Sequence, residues 1–274
     1  MKKTLSLCLA LCAIFCVRFT AYSFAAQPAA QPRQNPQIHT NSIGMEFVQI
    51  PAGSFTRTFT TRNEKNEEQK KHSTFIISKP FYLGKCQVTQ EQWEAVMGEN
   101  PSSFKGRANP VENVSWHDAQ EFIKRLNNKE KHRRYRLPTE AEWELAARGG
   151  TDMPLFFVKA SMMWEEAAAA LDAYAWFGKN SGDTTHPVGQ KKPNPYGLYD
   201  IYGNVWEWVQ DGYGELPTVP EIRDYRGQAE DSLRVLRGGC WVCKAELFRA
   251  GNRLHAPTDK RNGHIGLRVA FSPE

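Results

Sequence analysis

Past Gly149 the sequence loses the regular hydrophobic periods that mark helices and strands, and this loss constrains the fold more than any single motif. Gly, Pro, Asn and Trp dominate the remainder. Only residues 234–236 and 266–271 read there as strands, and the Ala- and Glu-rich stretch 161–174 as a helical insertion. Backbone outside ladders must find its hydrogen-bond partners in side chains, turns or ions. Eight tryptophans supply large apolar area where helices are few.

The first half is more regular. Residues 45–50 alternate apolar and polar and predict a half-buried strand, turned by Pro51-Ala-Gly-Ser54 toward a second over 55–59. The mixed-charge run 63–72 carries no apolar residue and reads as a solvated loop. Short strands are expected at 75–77 and 81–83. Three helix starts follow, each with a cap and a polar partner three residues on: Thr89 with Gln92, Ser115 with Asp118, and Thr139 with Glu142. The second presents Ala119, Phe122, Ile123 and Leu126 on one face. The first and third stop at Gly98 and Gly149.

The N-terminus reads as an export signal over residues 1–26. Lys2 and Lys3 precede an apolar core, and Ser23-Phe-Ala-Ala26 ends in small residues suited to signal peptidase. The core is short for a bilayer span and Arg18 interrupts it, so no stable membrane span is expected after cleavage. A flexible Pro- and Gln-rich linker over 27–43 then leads to one domain, 44–272. A periplasmic or secreted monomer is the expected product. Without the signal the formal net charge of +5 falls by three, to +2, which argues against nucleic-acid binding. Three of the six cysteines leave with it. Cys240 and Cys243 remain as a close pair, and Cys86 as an odd thiol expected to be buried. The seven histidines show no paired spacing for zinc.

Arg237-Gly-Gly-Cys-Trp-Val-Cys243 is the densest chemistry in the chain. Gly238 and Gly239 permit torsions or close approaches that a side chain forbids. Two thiols three residues apart can close a disulfide, hold a soft metal ion or do redox chemistry. Arg234, Arg237, Lys244, Arg249 and Arg253 would lower the thiol pKa wherever they lie close. Glu207, between Trp206 and Trp208, is a carboxylate in an apolar setting. Calcium ringed by carbonyls and pairing with an arginine are equally good partners for it.

The segments GKCQVTQEQWEAVMGENPSSF (84–104), NPVENVSWHDAQEFIKRLN (109–127) and YRLPTEAEWELAARGG (135–150) resemble the sulfatase-modifying-factor, or formylglycine-generating-enzyme, family. So do HPVGQKKPNPYGLYDIYGNVWEW (186–208), RVLRGGCW (234–241) and IGLRVAF (265–271). The resemblance implies a single α+β domain of low regular content, related to C-type lectins. It also implies an oxygen-dependent enzyme that converts a cysteine in a Cys-X-Pro-X-Arg segment to formylglycine, with copper held by two cysteines.

Carried over residue by residue, the resemblance makes Cys243 the first active-site cysteine. The second belongs five residues later, where Phe248 stands; Cys240 occupies a position that active enzymes fill with serine. Cys240 and Cys243 are therefore the candidate catalytic and copper-binding pair, with Arg253, His264 and Trp241 as candidate substrate-binding residues. His264 replaces the family's usual Asn. Asp200, Gly203, Val205 and Glu207 match the ligands of one calcium site, through carbonyls except for the Glu207 carboxylate. Tyr174 stands where the first ligand of a second site would be, so one calcium is expected.

Two functions follow. One is an exported copper-dependent oxidase acting on a cysteine or related group of a peptide or protein substrate. The other, motivated by Phe248, is a catalytically silent lectin-like module that binds a protein, glycan or envelope component. A thiol–disulfide exchanger built on Cys240 and Cys243 is a third idea, against which no βαβ pattern is found.

Overall fold

Thr89, Ser115 and Thr139 each accept a backbone N–H from the residue three positions on, whose own side chain returns to the cap's N–H. All three expected capping boxes are present in the computed structural model, which describes residues 37–62, 66–131, 134–228 and 232–273. The expected signal, 1–26, lies outside the described residues, as does most of the expected linker. Residues 38–40 of that linker instead pair with the next strand and extend the domain toward the N-terminus.

In chain order the first strands are β1 (Ile38–Thr40), β2 (Glu46–Ile50), β3 (Gly53–Arg62), β4 (Glu68–Ile77) and β5 (Phe81–Gly84). Helices α1 (Gln90–Met97) and α2 (Trp116–Glu130) follow, then β6 (Tyr135–Arg136), α3 (Glu140–Arg148) and α4 (Trp164–Ala170). The remainder holds β7 (Trp206–Gly212), β8 (Glu221–Arg223), β9 (Leu233–Arg237), β10 (Leu254–Pro257), β11 (Ile265–Leu267) and β12 (Ala270–Phe271). Three sheets result, ordered β1-β2-β5-β12-β6, β10-β9-β7-β11 and β3-β4-β8. Helices and sheets share one core, so the fold is mixed α+β with long irregular connections.

Two expectations need correction. The charged run 63–72 is not all loop: residues 68–72 extend β4, which pairs with β3 along its whole length. The end of that hairpin projects from the body with both faces wet, so nothing there enforces an apolar alternation. The single strand expected over 266–271 is two, β11 and β12, in different sheets. The break falls where Arg268 turns into the core, wholly buried.

The helices pack as their patterns dictate. Ala119, Phe122, Ile123 and Leu126 of α2 are buried, and Phe122 stacks on Trp93 of α1 with ring centroids 5.0 Å apart. α3 is buried along nearly its full length. It delivers Trp143, Glu140 and Glu144 to the center of the molecule, where the functional side chains gather. Among the described residues no helix is long and apolar enough to cross a membrane.

Candidate functional site

The turn after β9 is shaped by its glycines. Gly238 and Gly239 adopt φ of 100° and 83°, the left-handed region closed to most side chains. A Cβ on Gly239 would run into the Phe248 ring, and one on Gly238 into Trp143 and the Ile201 carbonyl. The chain then folds back so that Cys240 and Cys243, with Cα atoms 5.1 Å apart, are joined in a disulfide. Both are buried. The Cys243 N–H donates to the Cys240 carbonyl at 3.0 Å, and Gly178 N–H donates to the Cys243 carbonyl at 2.9 Å.

Phe248, at the position matching the missing cysteine, is fully buried and meets Phe177 edge-on with centroids 5.6 Å apart. Its ring packs against Gly239, the residue before Cys240. Copper would need two thiolates, and a bridged pair supplies none. The cysteines as found do not fit copper.

The arginines expected to lower a thiol pKa are engaged elsewhere. Arg237 donates to Glu144 at 2.9 Å and lies 3.3 Å from Glu140, while Arg253 Nε lies 2.8 Å from Glu140. Arg57 and Arg148 complete this cluster against the same two glutamates. Arg234 lies over the Trp116 ring at 4.3 Å and Arg249 over Trp164 at 5.5 Å. Burial works to raise the Glu144 pKa, but Arg57, Arg237 and Arg148 outweigh it and hold it at about 2. Cys86, the remaining cysteine, is half-buried, and burial pushes its thiol up to about 12, far from a reactive thiolate.

Trp241, His264 and Arg253 do not converge on one spot. Trp241 donates its Nε1–H to the Gly263 carbonyl at 2.9 Å and meets Phe104 edge-on, beside His264. Burial, then Lys260, pushes the His264 pKa below the ordinary imidazole value. Arg253 stands at the start of β10, on the opposite edge of the four-stranded sheet from β11, which follows His264. Three interstrand spacings, about 14 Å, separate those edges.

Arg253 instead lines a groove of about 710 Å³ along β3. One wall is residues 56–61 of that edge strand; the other includes Arg148, Asp152, Glu215, Arg249 and Asn252. The Thr56 N–H points at Asp152 and its carbonyl at Arg148, at 3.4 and 3.5 Å. Thr56 thus faces away from β4. By the two-residue alternation of an antiparallel ladder, Thr58 and Thr60 also present their backbone groups to the groove.

Asp200, Gly203, Val205 and Glu207 do converge, and around a side chain that the sequence reading missed. Gln87 Nε2 lies 3.2 Å from the Asp200 carbonyl, 3.2 Å from that of Gly203, 2.9 Å from that of Val205 and 3.0 Å from Glu207 Oε1. Glu207 also accepts from Trp143 Nε1 at 2.7 Å and from Arg268, whose Nη2 lies 2.8 Å from Oε1. The arginine partner, one of two equal alternatives, is thus present. A calcium ion at the center of these oxygens would overlap the Gln87 amide, so the residues as arranged do not fit it. No local pattern marks Gln87, because its partners lie up to 120 residues away.

The family model of the sulfatase-modifying factor enzyme 1-like domain matches residues 31–273. The chain belongs to that family. Within it, the chain is 30% identical to the formylglycine-generating enzyme of Mus musculus over 80% of its own length and 59% of the mouse protein's. It is also 30% identical to the chaperone protein LppX of Paenibacillus barcinonensis, over 73% of this chain and 80% of that one. Among solved structures it is similar to Treponema denticola variable protein 1, at 34% identity and a TM-score of 0.71, over 88% of this chain and 100% of the other. The chain spans about three fifths of the mouse enzyme. Family membership therefore fixes the fold and leaves the activity to the site itself.

Proposed function

We propose that this is a non-oxidizing member of the family, exported, that binds an extended segment of a partner protein. The observation that carries the reading is the buried Cys240–Cys243 bridge, with Phe248 in place of a second active-site cysteine. A buried disulfide has no thiolate to bind copper or to pass electrons to oxygen. The bridge also supports export, because such bonds persist in oxidizing compartments.

The groove beside β3 is the binding surface we assign. An edge strand with free backbone groups can take an added strand, which gives affinity through main-chain hydrogen bonds. Arg57, Arg148 and Arg253 of the groove are already committed to Glu140 and Glu144, and Arg249 faces two acids, Asp152 and Glu215, so capture rests on the main chain of the added strand rather than on its charge.

Co-expression with a Cys-X-Pro-X-Arg peptide, followed by mass spectrometry, tests the first half: the cysteine should stay unmodified, and gain of an aldehyde would defeat the reading. Peptide display against the purified domain tests the second. Selected sequences should be rich in strand-forming residues and free of proline, and Thr58→Pro, which removes an edge N–H, should abolish capture. Binding indifferent to that substitution would place the partner elsewhere.

A further inference from the structure

The oxygens expected to bind calcium are spaced for a different occupant. Calcium takes oxygen ligands at about 2.3–2.6 Å, whereas N–H···O bonds run about 2.7–3.2 Å. The four oxygens stand 2.9–3.2 Å from Gln87 Nε2. An oxygen in the same place would face four acceptors with no proton between, so the amide must point its nitrogen inward. Gln87 Oε1 correspondingly has no protein partner among the described residues.

Charge leads to the same result. The carboxylate of Glu207 is already matched by Arg268, which touches both of its oxygens. Arg268 Nη2 also donates to the Asp200 carbonyl at 3.2 Å, so one guanidinium serves two of the four oxygens. Both Glu207 and Arg268 are wholly buried. A dication here would sit beside a buried cation; of the two buried carboxylates near it, Glu207 is already compensated by Arg268, and Asp200 turns one oxygen to the Gly189 N–H. Desolvation makes such an arrangement costly.

The loop that presents the carbonyls is also braced without an ion. Gly203, at φ 84°, packs so closely on Trp176 that a Cβ would strike its backbone. Its N–H donates to the Gly238 carbonyl at 3.0 Å, and the Asn204 N–H to the Trp176 carbonyl at 2.9 Å. The Asn204 side chain brackets the His186 backbone, accepting from its N–H at 3.1 Å and donating to its carbonyl at 2.9 Å.

We infer that the Gln87 side-chain amide stands in place of a cation in this chain, bonding the carbonyls of Asp200, Gly203 and Val205 and the carboxylate of Glu207, so that this loop folds without calcium. The chain thereby keeps the oxygen cage and replaces its ion with a covalently tethered donor from the segment leading into α1.

The test uses the folded wild-type protein and Gln87→Glu. In a 1H–15N correlation spectrum, the Gln87 side-chain NH2 pair, assigned by its loss in Gln87→Glu, should not move when CaCl2 is raised past the roughly 0.1–1 mM range of extracellular calcium sites. A saturable shift or loss of that pair would overturn the inference. Gln87→Glu replaces the donor by a carboxylate facing the same oxygens. It should bind one more calcium per chain than wild type by calorimetry and melt at lower temperature in EGTA than in calcium. Equal stoichiometry in the two proteins would count against the inference. If the variant folds only with calcium the inference stands, and if it does not fold at all the wild-type spectrum decides.

Discussion

Arg268 and Glu207 meet with no solvent contact, the guanidinium Nε lying 3.1 and 3.0 Å from the two carboxylate oxygens and Nη2 2.8 Å from one of them. The same guanidinium donates to the carbonyls of Gly84 and Tyr199, each at 2.8 Å. It thereby ties β5, the 199–200 turn and β7 together at the point where the chain passes from β11 to β12. Arg268→Met would leave a buried carboxylate without its counter-charge and take this donor from the carbonyls of Gly84 and Tyr199. Breaking such a pair costs about 3–5 kcal/mol. Urea denaturation should show a loss of that size, and a loss under 1 kcal/mol would mean that the pair is dispensable.

Acid should first stabilize this protein and then destabilize it. Burial raises the Asp211 pKa to about 6, even though Gly227 and Glu140 donate backbone N–H groups to it. With an unfolded value of about 3.9, its folded form takes up the proton first, so stability rises as pH falls from about 6 to about 4. Glu144 is the opposite case. Its folded pKa of about 2 lies below the unfolded carboxylate value, so its contribution is present above about 4.3 and is lost on the way down to about 2. Melting temperature against pH should peak at about pH 4–5. Burial raises Asp200 to about 6 as well, so Asp211→Asn should reduce the rise between neutral pH and the peak by its own share and leave that of Asp200.

Thiol counting checks the bridge. On the chain without residues 1–26, denaturation in the absence of reductant should expose one reactive thiol, Cys86, and denaturation with reductant should expose three. Cu(I) added to the unreduced protein should give no thiolate-to-metal absorption. Three thiols in the unreduced protein would reopen the copper clamp.

Gly239→Ala places a methyl group against the Phe248 ring in a backbone conformation that only glycine adopts readily. Overpacking of this kind costs about 1–3 kcal/mol, read as a lowered urea midpoint. Pairing it with Phe248→Leu should recover part of the loss, because the ring is the obstacle. No recovery would locate the cost in the backbone alone.

The features legible in the sequence were those written within a few residues of one another. Thr89 and Gln92, Ser115 and Asp118, and Thr139 and Glu142 are three apart, and each marked its helix start correctly. The contacts that build the sites are not local. Gln87 reaches Glu207, Arg57 reaches Glu144 and Arg268 reaches Gly84 across 120, 87 and 184 positions, and no periodicity announces them. β4 hid its first half because residues 68–72 are exposed on both faces and carry no alternation. For Cys240 and Cys243 the spacing allowed a bridge, a metal or redox chemistry, with the bridge favored, and the fold-back of the turn brings the sulfurs together.

The placement of β12 sets an order on how the chain can become compact. This two-residue strand lies between β5 and β6, hydrogen-bonded to both, with Phe271 opposite Tyr82 on one side and Tyr135 on the other. A nascent polypeptide that has made β5 and β6 therefore holds two unjoined edges and a missing aromatic wedge until a segment synthesized much later arrives. A chain halted before Ala270 leaves this sheet split in two.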